Sequence, residues 1–193
     1  MSPFRLIFFG TSSFAVPILE RLAKDARFAV TAVVTQPDRP VGRHAEVMAS
    51  PVKQAALKLG LPVLQPESVK TDEALALLGE HPADAYVVAS YGQIIPQRVL
   101  DLPAKGAINV HASLLPAYRG ASPIAAAIAN GDKETGVTIM LMDAKMDHGP
   151  TLAFATEPIN PDDTTRTLEP RLAKLGADVL PDVLAKYATG EIK

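Results

Sequence analysis

Short apolar, β-branched runs alternate along this chain with longer helical patterns. No other feature limits the fold as much, because this is how β-α-β units around a mostly parallel sheet appear in sequence. The runs are Arg5–Phe9, Phe28–Thr35, Leu61–Leu64, Ala85–Ser90 and Ala107–His111, then Val137–Met142 and Leu152–Ile159. Between them, Ser13–Ala23 carries Phe14, Ile18 and Leu22 at four-residue steps, with Ser12 or Ser13 offered as the cap. Pro51–Leu59 follows a capping Ser50 and has proline at its first helical position. Thr71–Gly79 is similar, and Ser122–Ala129 is capped by Ser122 and closed by Asn130-Gly131. After Val137 two strand-like runs are separated only by Asp143–Gly149, which predicts an antiparallel pair at one end of the sheet. Leu168, Leu172, Leu175, Val179, Val183 and Tyr187 mark a last helix face, which Pro170 and Pro181 are expected to kink or split. The prediction is one α/β domain over residues 1–193, a Rossmann-like, mostly parallel twisted sheet with helices on both faces.

Composition supports a packed core and removes several function classes. With 48% hydrophobic and 21% charged residues the chain can bury a core. Its longest apolar runs, Leu6–Phe9 and Leu152–Ala155, are far below the roughly 20 residues of a membrane span. Arg5 lies inside an apolar run with no basic leader and no cleavage site, so a cytoplasmic protein without membrane contact is expected. The absence of cysteine excludes disulfides, thiolate nucleophiles and Cys-ligated zinc. A net charge of −2 gives no global footprint for nucleic acid, so any RNA contact must be local. A monomer is expected.

The chemistry concentrates in two segments. Phe9-Gly10-Thr11-Ser12-Ser13-Phe14 stands where a doubly wound fold holds a dinucleotide, but with one glycine it reads first as a plain strand-helix connection. The strong signal is Ala107–Gly120, Ala-Ile-Asn-Val-His-Ala-Ser-Leu-Leu-Pro-Ala-Tyr-Arg-Gly. Strand alternation turns Ile108 and Val110 to one face and Asn109 and His111 together to the other, at the carboxyl end of an inner strand. An amide and an imidazole N–H aimed at one point suit a developing oxyanion. Further on, Met142–Pro150 supplies carboxylates, and one brought within about 3 to 4 Å of His111 would hold its ring and relay a proton. His111, His148, Asp143 and Asp147 have no recognised metal-ligand spacing, so no metal is expected.

Together Asn109–Gly120 and Asp143–Gly149 resemble the formyltransferases that use 10-formyltetrahydrofolate, whose hallmark is an Asn, a His and a downstream Asp around a Ser-Leu-Leu-Pro segment. The likeness extends along the chain through Phe8–Thr11, Phe14–Pro17, Val34–Pro40, Gly42-Arg43, Ser50–Lys53, Leu64–Ser68, Ser90–Pro96 and Glu134–Met140. The Thr35–Pro40 loop with Gly42-Arg43 is most similar to the branch that formylates methionyl-tRNA. The resemblance implies the formyltransferase fold, with Asn109, His111 and Asp147 as the catalytic trio. It implies folate contacts from Ser113, Leu114, Leu115 and Pro116 and a pterin pocket walled by Tyr91, Gly92, Ile94 and Ile95, with Met142 and Asp143 opposite. It places Arg43 and Phe14 toward the methionyl-tRNA acceptor end. The co-substrate implied is 10-formyltetrahydrofolate, with no metal. Two stretches depart from the family pattern: Asp147-His148-Gly149-Pro150 replaces Asp-Thr-Gly-Asp, and His44-Ala45-Glu46 replaces paired lysines. The family's carboxyl-terminal tRNA-binding domain is expected to be missing beyond Lys193.

Overall fold

A computed structural model describes residues 2–41 and 46–192. Among the described residues nine strands and six helices follow in the order β1 (Phe4–Gly10), α1 (Ala15–Ala23), β2 (Phe28–Val34), β3 (Arg39–Val41), β4 (Glu46–Met48), α2 (Pro51–Lys58), β5 (Val63–Leu64), α3 (Asp72–Gly79), β6 (Ala85–Ala89), α4 (Gln97–Leu100), β7 (Ala107–His111), α5 (Pro123–Ala129), β8 (Glu134–Leu141), β9 (Thr151–Pro158) and α6 (Thr165–Thr189). Seven strands form one sheet in the order β5-β2-β1-β6-β7-β8-β9, while β3 and β4 pair separately as a small antiparallel ribbon. Pairing from β5 to β7 is parallel, and β7–β8 and β8–β9 are antiparallel, as the closely spaced last runs predicted.

Period-two alternation sends the strand side chains into two cores. On one face Leu6, Phe8, Val87, Ile108, Val110 and Ile139 pack under α1, α2, α5 and α6. On the other, Ile7, Phe9, Val34, Tyr86 and Val88 pack against Leu78 of α3 and Val99 and Leu100 of α4. Helices therefore cover both faces, as expected.

Two sequence expectations fail for physical reasons, and a third in part: Ser122 stands at the N-cap of α5, but its side chain makes no cap bond. Pro170 and Pro181 do not split the last helix, which runs 25 residues with both prolines inside it. Its buried face, including Leu168, Leu172, Leu180 and Leu184, lies in the larger core, and that packing outweighs the backbone hydrogen bonds the prolines cannot make. Nor do Ser12 and Ser13 cap α1: its N-cap is Phe14, with no side-chain cap bond. Both hydroxyls are drawn elsewhere, Ser12 Oγ to Ser90 Oγ at 2.8 Å and Ser13 Oγ to Glu169 Oε1 at 2.6 Å. Ser50 behaves as predicted, accepting from the Lys53 N–H at 3.0 Å ahead of Pro51.

Candidate active site

Beyond β2 and β5 the chain crosses back to place β6 on the other side of β1, and ligands of open α/β sheets sit at the carboxyl ends of strands beside such a reversal. A cavity of about 420 Å³ opens there, lined by Ser12 and Phe14 after β1, Ser90–Gln93 after β6, and Asn109 and His111 of β7. The β1 and β6 ends are tied together: the Thr11 N–H donates to the Ser90 carbonyl at 3.1 Å and Thr11 Oγ1 to the Tyr91 carbonyl at 2.7 Å.

Asn109 and His111 share the face opposite Ile108 and Val110, as strand alternation requires, and both are buried. The loop between β8 and β9 brings Asp147 onto them. Its Oδ2 lies 3.3 Å from His111 Nε2, its Oδ1 accepts from Asn109 Nδ2 at 3.4 Å, and the Gly120 N–H donates to Oδ2 at 2.9 Å. Asp147 has φ +49°, a left-handed conformation that Asp tolerates better than most residues. Gly149 allows the loop to return, since a Cβ there would collide with the Leu141 carbonyl. Next to it, the Leu141 N–H donates to the Pro150 carbonyl at 2.9 Å.

The hydrogen bonds also orient His111. Ser113 Oγ gives its proton to the Ala117 carbonyl at 2.6 Å, so it accepts from His111 Nδ1 at 3.0 Å. The other ring nitrogen faces the Gly120 carbonyl at 3.3 Å as well as Asp147. With Nδ1 donating to Ser113, Nε2 is left between two oxygens, the Gly120 carbonyl and the Asp147 carboxylate. Burial works against the Asp147 carboxylate, but the His111 hydrogen bond, the Gly120 N–H and the His111 and Arg119 charges outweigh it and hold the carboxyl below its ordinary value.

The other residues singled out in the sequence separate into three groups. Phe14, Tyr91, Gly92, Ile95 and Met142 line the main cavity. Ile94 and Asp143, again with Ile95 and Met142, line an adjoining cavity of about 200 Å³. Ser113, Leu114, Leu115 and Pro116 line neither and lie behind His111. There Thr138 Oγ1 donates to the Ser113 carbonyl at 2.7 Å and accepts from the Leu115 N–H at 3.0 Å. Arg43 lies outside the described residues. His148 pairs with Asp143 at 3.4 Å, apart from the His111–Asp147 pair, and no metal-holding group of three His, Asp or Glu occurs among the described residues.

Sequence reasoning passed over three contributors. Gln93 ties the loops behind the cavity, accepting from the Val69 N–H at 3.1 Å and donating to Gln36 Oε1 at 3.2 Å and the Glu67 carbonyl at 3.1 Å. Its place beside Tyr91 and Gly92 was the available signal. Thr138 is buried in mid-strand, where an isolated threonine carries no sequence signal. Glu169, on the cavity wall, is presented by a helix whose apolar positions alone stood out. The buried Tyr91 hydroxyl has no hydrogen-bond partner among the described residues, and its ring meets Phe9 edge-on with centroids 5.4 Å apart.

Comparison with known proteins gives the family. The methionyl-tRNA formyltransferase of Roseiflexus sp. (strain RS-1) is 55% identical over 98% of this chain and 58% of its own length. That of Acidithiobacillus ferrooxidans (strain ATCC 53993 / BNL-5-31) is 56% identical over 93% of this chain and 57% of its own. The chain thus spans a little under three-fifths of the length of these two curated relatives. Among solved structures, phosphoribosylglycinamide formyltransferase from Bacillus halodurans superposes with a TM-score of 0.79 at 25% identity, over 97% of this chain and 96% of that one. The formyl transferase family profile matches residues 4–184. With that match running through both sheet halves and the Asn109–His111–Asp147 cluster, the chain belongs to the formyl transferase family.

Proposed function

We propose that this protein transfers the formyl group of 10-formyltetrahydrofolate to the free α-amine of methionyl-tRNA, in the cytoplasm and without a metal. The observation that carries the reading is the convergence of Asn109 Nδ2 and His111 Nε2 on Asp147 at the wall of the main cavity. The names of the relatives at 55% and 56% identity support methionyl-tRNA as the acceptor.

The folate supplies the formyl carbon. Tyr91, Gly92, Ile95 and Met142 would wall its ring system, with Ile94 and Asp143 at the adjoining cavity. The buried Tyr91 hydroxyl fits such a ligand, because a polar edge would satisfy a group that is otherwise unpaired. Asn109 has a second amide hydrogen beyond the one turned to Asp147, and it would donate to the formyl oxygen as the amine adds and charge develops there. His111, held through Nδ1 by Ser113, has one Nε2–H, which faces Asp147 and the Gly120 carbonyl and would be shared with the same oxygen as charge develops there. Each such donor lowers the barrier by about 3 kcal/mol. Asp147 would orient His111 and take up the proton the amine releases; as the oxyanion collapses, the bond from the formyl carbon to N10 breaks and N10 takes a proton in turn, so that tetrahydrofolate leaves as a neutral amine.

The test is a screen with 10-formyltetrahydrofolate against Met-tRNA, glycinamide ribotide, an amino sugar nucleotide and water. Met-tRNA is expected to give the highest kcat/KM. Preferential turnover of either small acceptor, or of water, would overturn the assignment.

A further inference from the structure

We infer that Glu169 reads the amine of the acceptor as it arrives in its cationic form, before it gives that proton to solvent and attacks as the free amine, which makes Glu169 a specificity-determining residue on the cavity wall opposite the donor end. This rests on the proposed formyl transfer, because that reading decides which end of the cavity takes which substrate. The main cavity shares Gln93, Ile95 and Met142 with the adjoining one, so the donor end continues in that direction. The acceptor is left with the end lined by Ser12, Phe14, Thr165 and Glu169.

Glu169 is not placed there by chance packing of a surface side chain. Ser13 Oγ donates to its Oε1 at 2.6 Å across 156 residues of sequence, in place of capping its own helix. That bond fixes the carboxylate between the start of α1 and the first turns of α6. Among the described residues no protein group donates to Oε2 and no Lys or Arg pairs with Glu169, so one oxygen and the negative charge remain available. A carboxylate on a cavity wall attracts an ammonium and repels an anion. The adjacent Phe14 and Ile124 offer apolar surface to a side chain carried by the same acceptor. An α-amino acid esterified at its carboxyl, cationic at the amine and otherwise uncharged, matches this wall. A free amino acid, whose own carboxylate the wall would repel, does not.

The experiment compares wild type, Glu169→Gln and Ser13→Ala in three measurements: steady-state use of Met-tRNA, hydrolysis of 10-formyltetrahydrofolate by water, and calorimetric binding of two probes. The probes are methioninamide, which carries the amine, and 4-(methylthio)butanamide, which lacks it. For Glu169→Gln the expected result is a KM for Met-tRNA raised about tenfold, kcat within about twofold, unchanged hydrolysis, and about tenfold weaker binding of methioninamide only. Ser13→Ala should follow in the same direction by a smaller factor. Equal weakening of both probes, an unchanged KM, or a parallel fall in hydrolysis would overturn the inference, since each assigns Glu169 to packing or to the donor site. If Glu169→Gln lowers Tm markedly, Glu169→Asp keeps the charge and should retain discrimination between the probes. Loss of discrimination in a folded Glu169→Asp also counts against it. Wild type that fails to formylate Met-tRNA yet binds methioninamide through Glu169 would sink the proposed acceptor and leave the amine-reading role standing.

Discussion

His111 Nε2 and Asp147 Oδ2 stand 3.3 Å apart at the carboxyl end of β7, joined across a loop that holds Asp147 in a left-handed conformation. His111 is buried and Asp147 half-buried, and neither partner is free to turn away: Ser113 holds one side of the ring and the Gly120 N–H holds the carboxylate. Its geometry sets the first predictions.

Asn109→Ala and His111→Ala should each slow formyl transfer by at least about 100-fold while folate affinity changes little, because their hydrogen bonds strengthen only as charge develops on the formyl oxygen. Single-turnover rates and folate titration check this. Equal losses in binding and turnover would assign both residues to ground-state binding instead.

Asp147→Asn should be about as damaging and should reshape the pH profile. The Asp147 carboxyl is held below its ordinary value, so the stability its charge contributes is complete above about pH 3.9 and is withdrawn only as pH falls toward the lower folded value. Protonation of Asp147 therefore produces no fall in wild-type activity across neutral and mildly acidic pH. The Asn variant, which cannot accept the proton, should lose rate throughout that range. A variant with the wild-type rate at every pH would remove Asp147 from the reaction.

Much of this site could be read from the chain, for a definite reason. Asn109 and His111 are two apart in a strand, and period-two alternation puts them on one face whatever the rest of the fold does. From the residues alone the contact with Asp147 was legible only as a requirement, a carboxylate near the ring; the family resemblance named Asp147, and the loop between β8, which pairs with β7, and β9 carries it there. The β3–β4 ribbon was missed because its three-residue strands are too short to show alternation. Ser12 and Ser13 misled because local sequence offers a cap, whereas the competing partners, Ser90 and Glu169, arrive from distant parts of the chain.

Ser113→Ala tests the support behind the ring. Ser113 is fully buried, and its hydroxyl relays from His111 Nδ1 to the Ala117 carbonyl. Removing it strands two polar groups and should lower stability by about 1–3 kcal/mol and kcat by about tenfold, with KM for folate unchanged. Denaturant melts and steady-state kinetics measure both. A loss confined to folate KM would instead support a direct folate contact.

Gly149→Ala should lower stability by about 2 kcal/mol, since the added methyl meets the Leu141 backbone, which cannot move without disturbing β8. The loop would shift and carry Asp147 with it, so kcat should fall further than for Leu57→Ala, a substitution on the exposed face of α2. Equal activity in both variants would show that the position of Asp147 does not depend on the Gly149 return.

The last prediction concerns charge around the β3–β4 ribbon, where the proposed acceptor would approach. Each Lys or Arg that neutralises a phosphate contributes sequence-independent affinity and about 0.7 to 0.9 to the log–log salt slope. Two of the basic residues in this stretch are already engaged: Arg39 pairs with Glu67 at 2.7 Å and Lys53 with Asp38 at 2.6 Å. The Lys53 hydrogen bond, joined by one from Gln65, holds the Asp38 carboxyl below its ordinary value, so Asp38 stays an anion at neutral pH and keeps Lys53 engaged. Use of Met-tRNA by this chain should therefore show a shallow salt dependence of kcat/KM, with a slope below about 2. Glu67→Gln releases Arg39 and should steepen the slope by about one phosphate's worth while leaving hydrolysis of formyl-folate unchanged. If the slope does not move, Arg39 is not in reach of the tRNA backbone, and the approach must lie on another side of the cavity mouth.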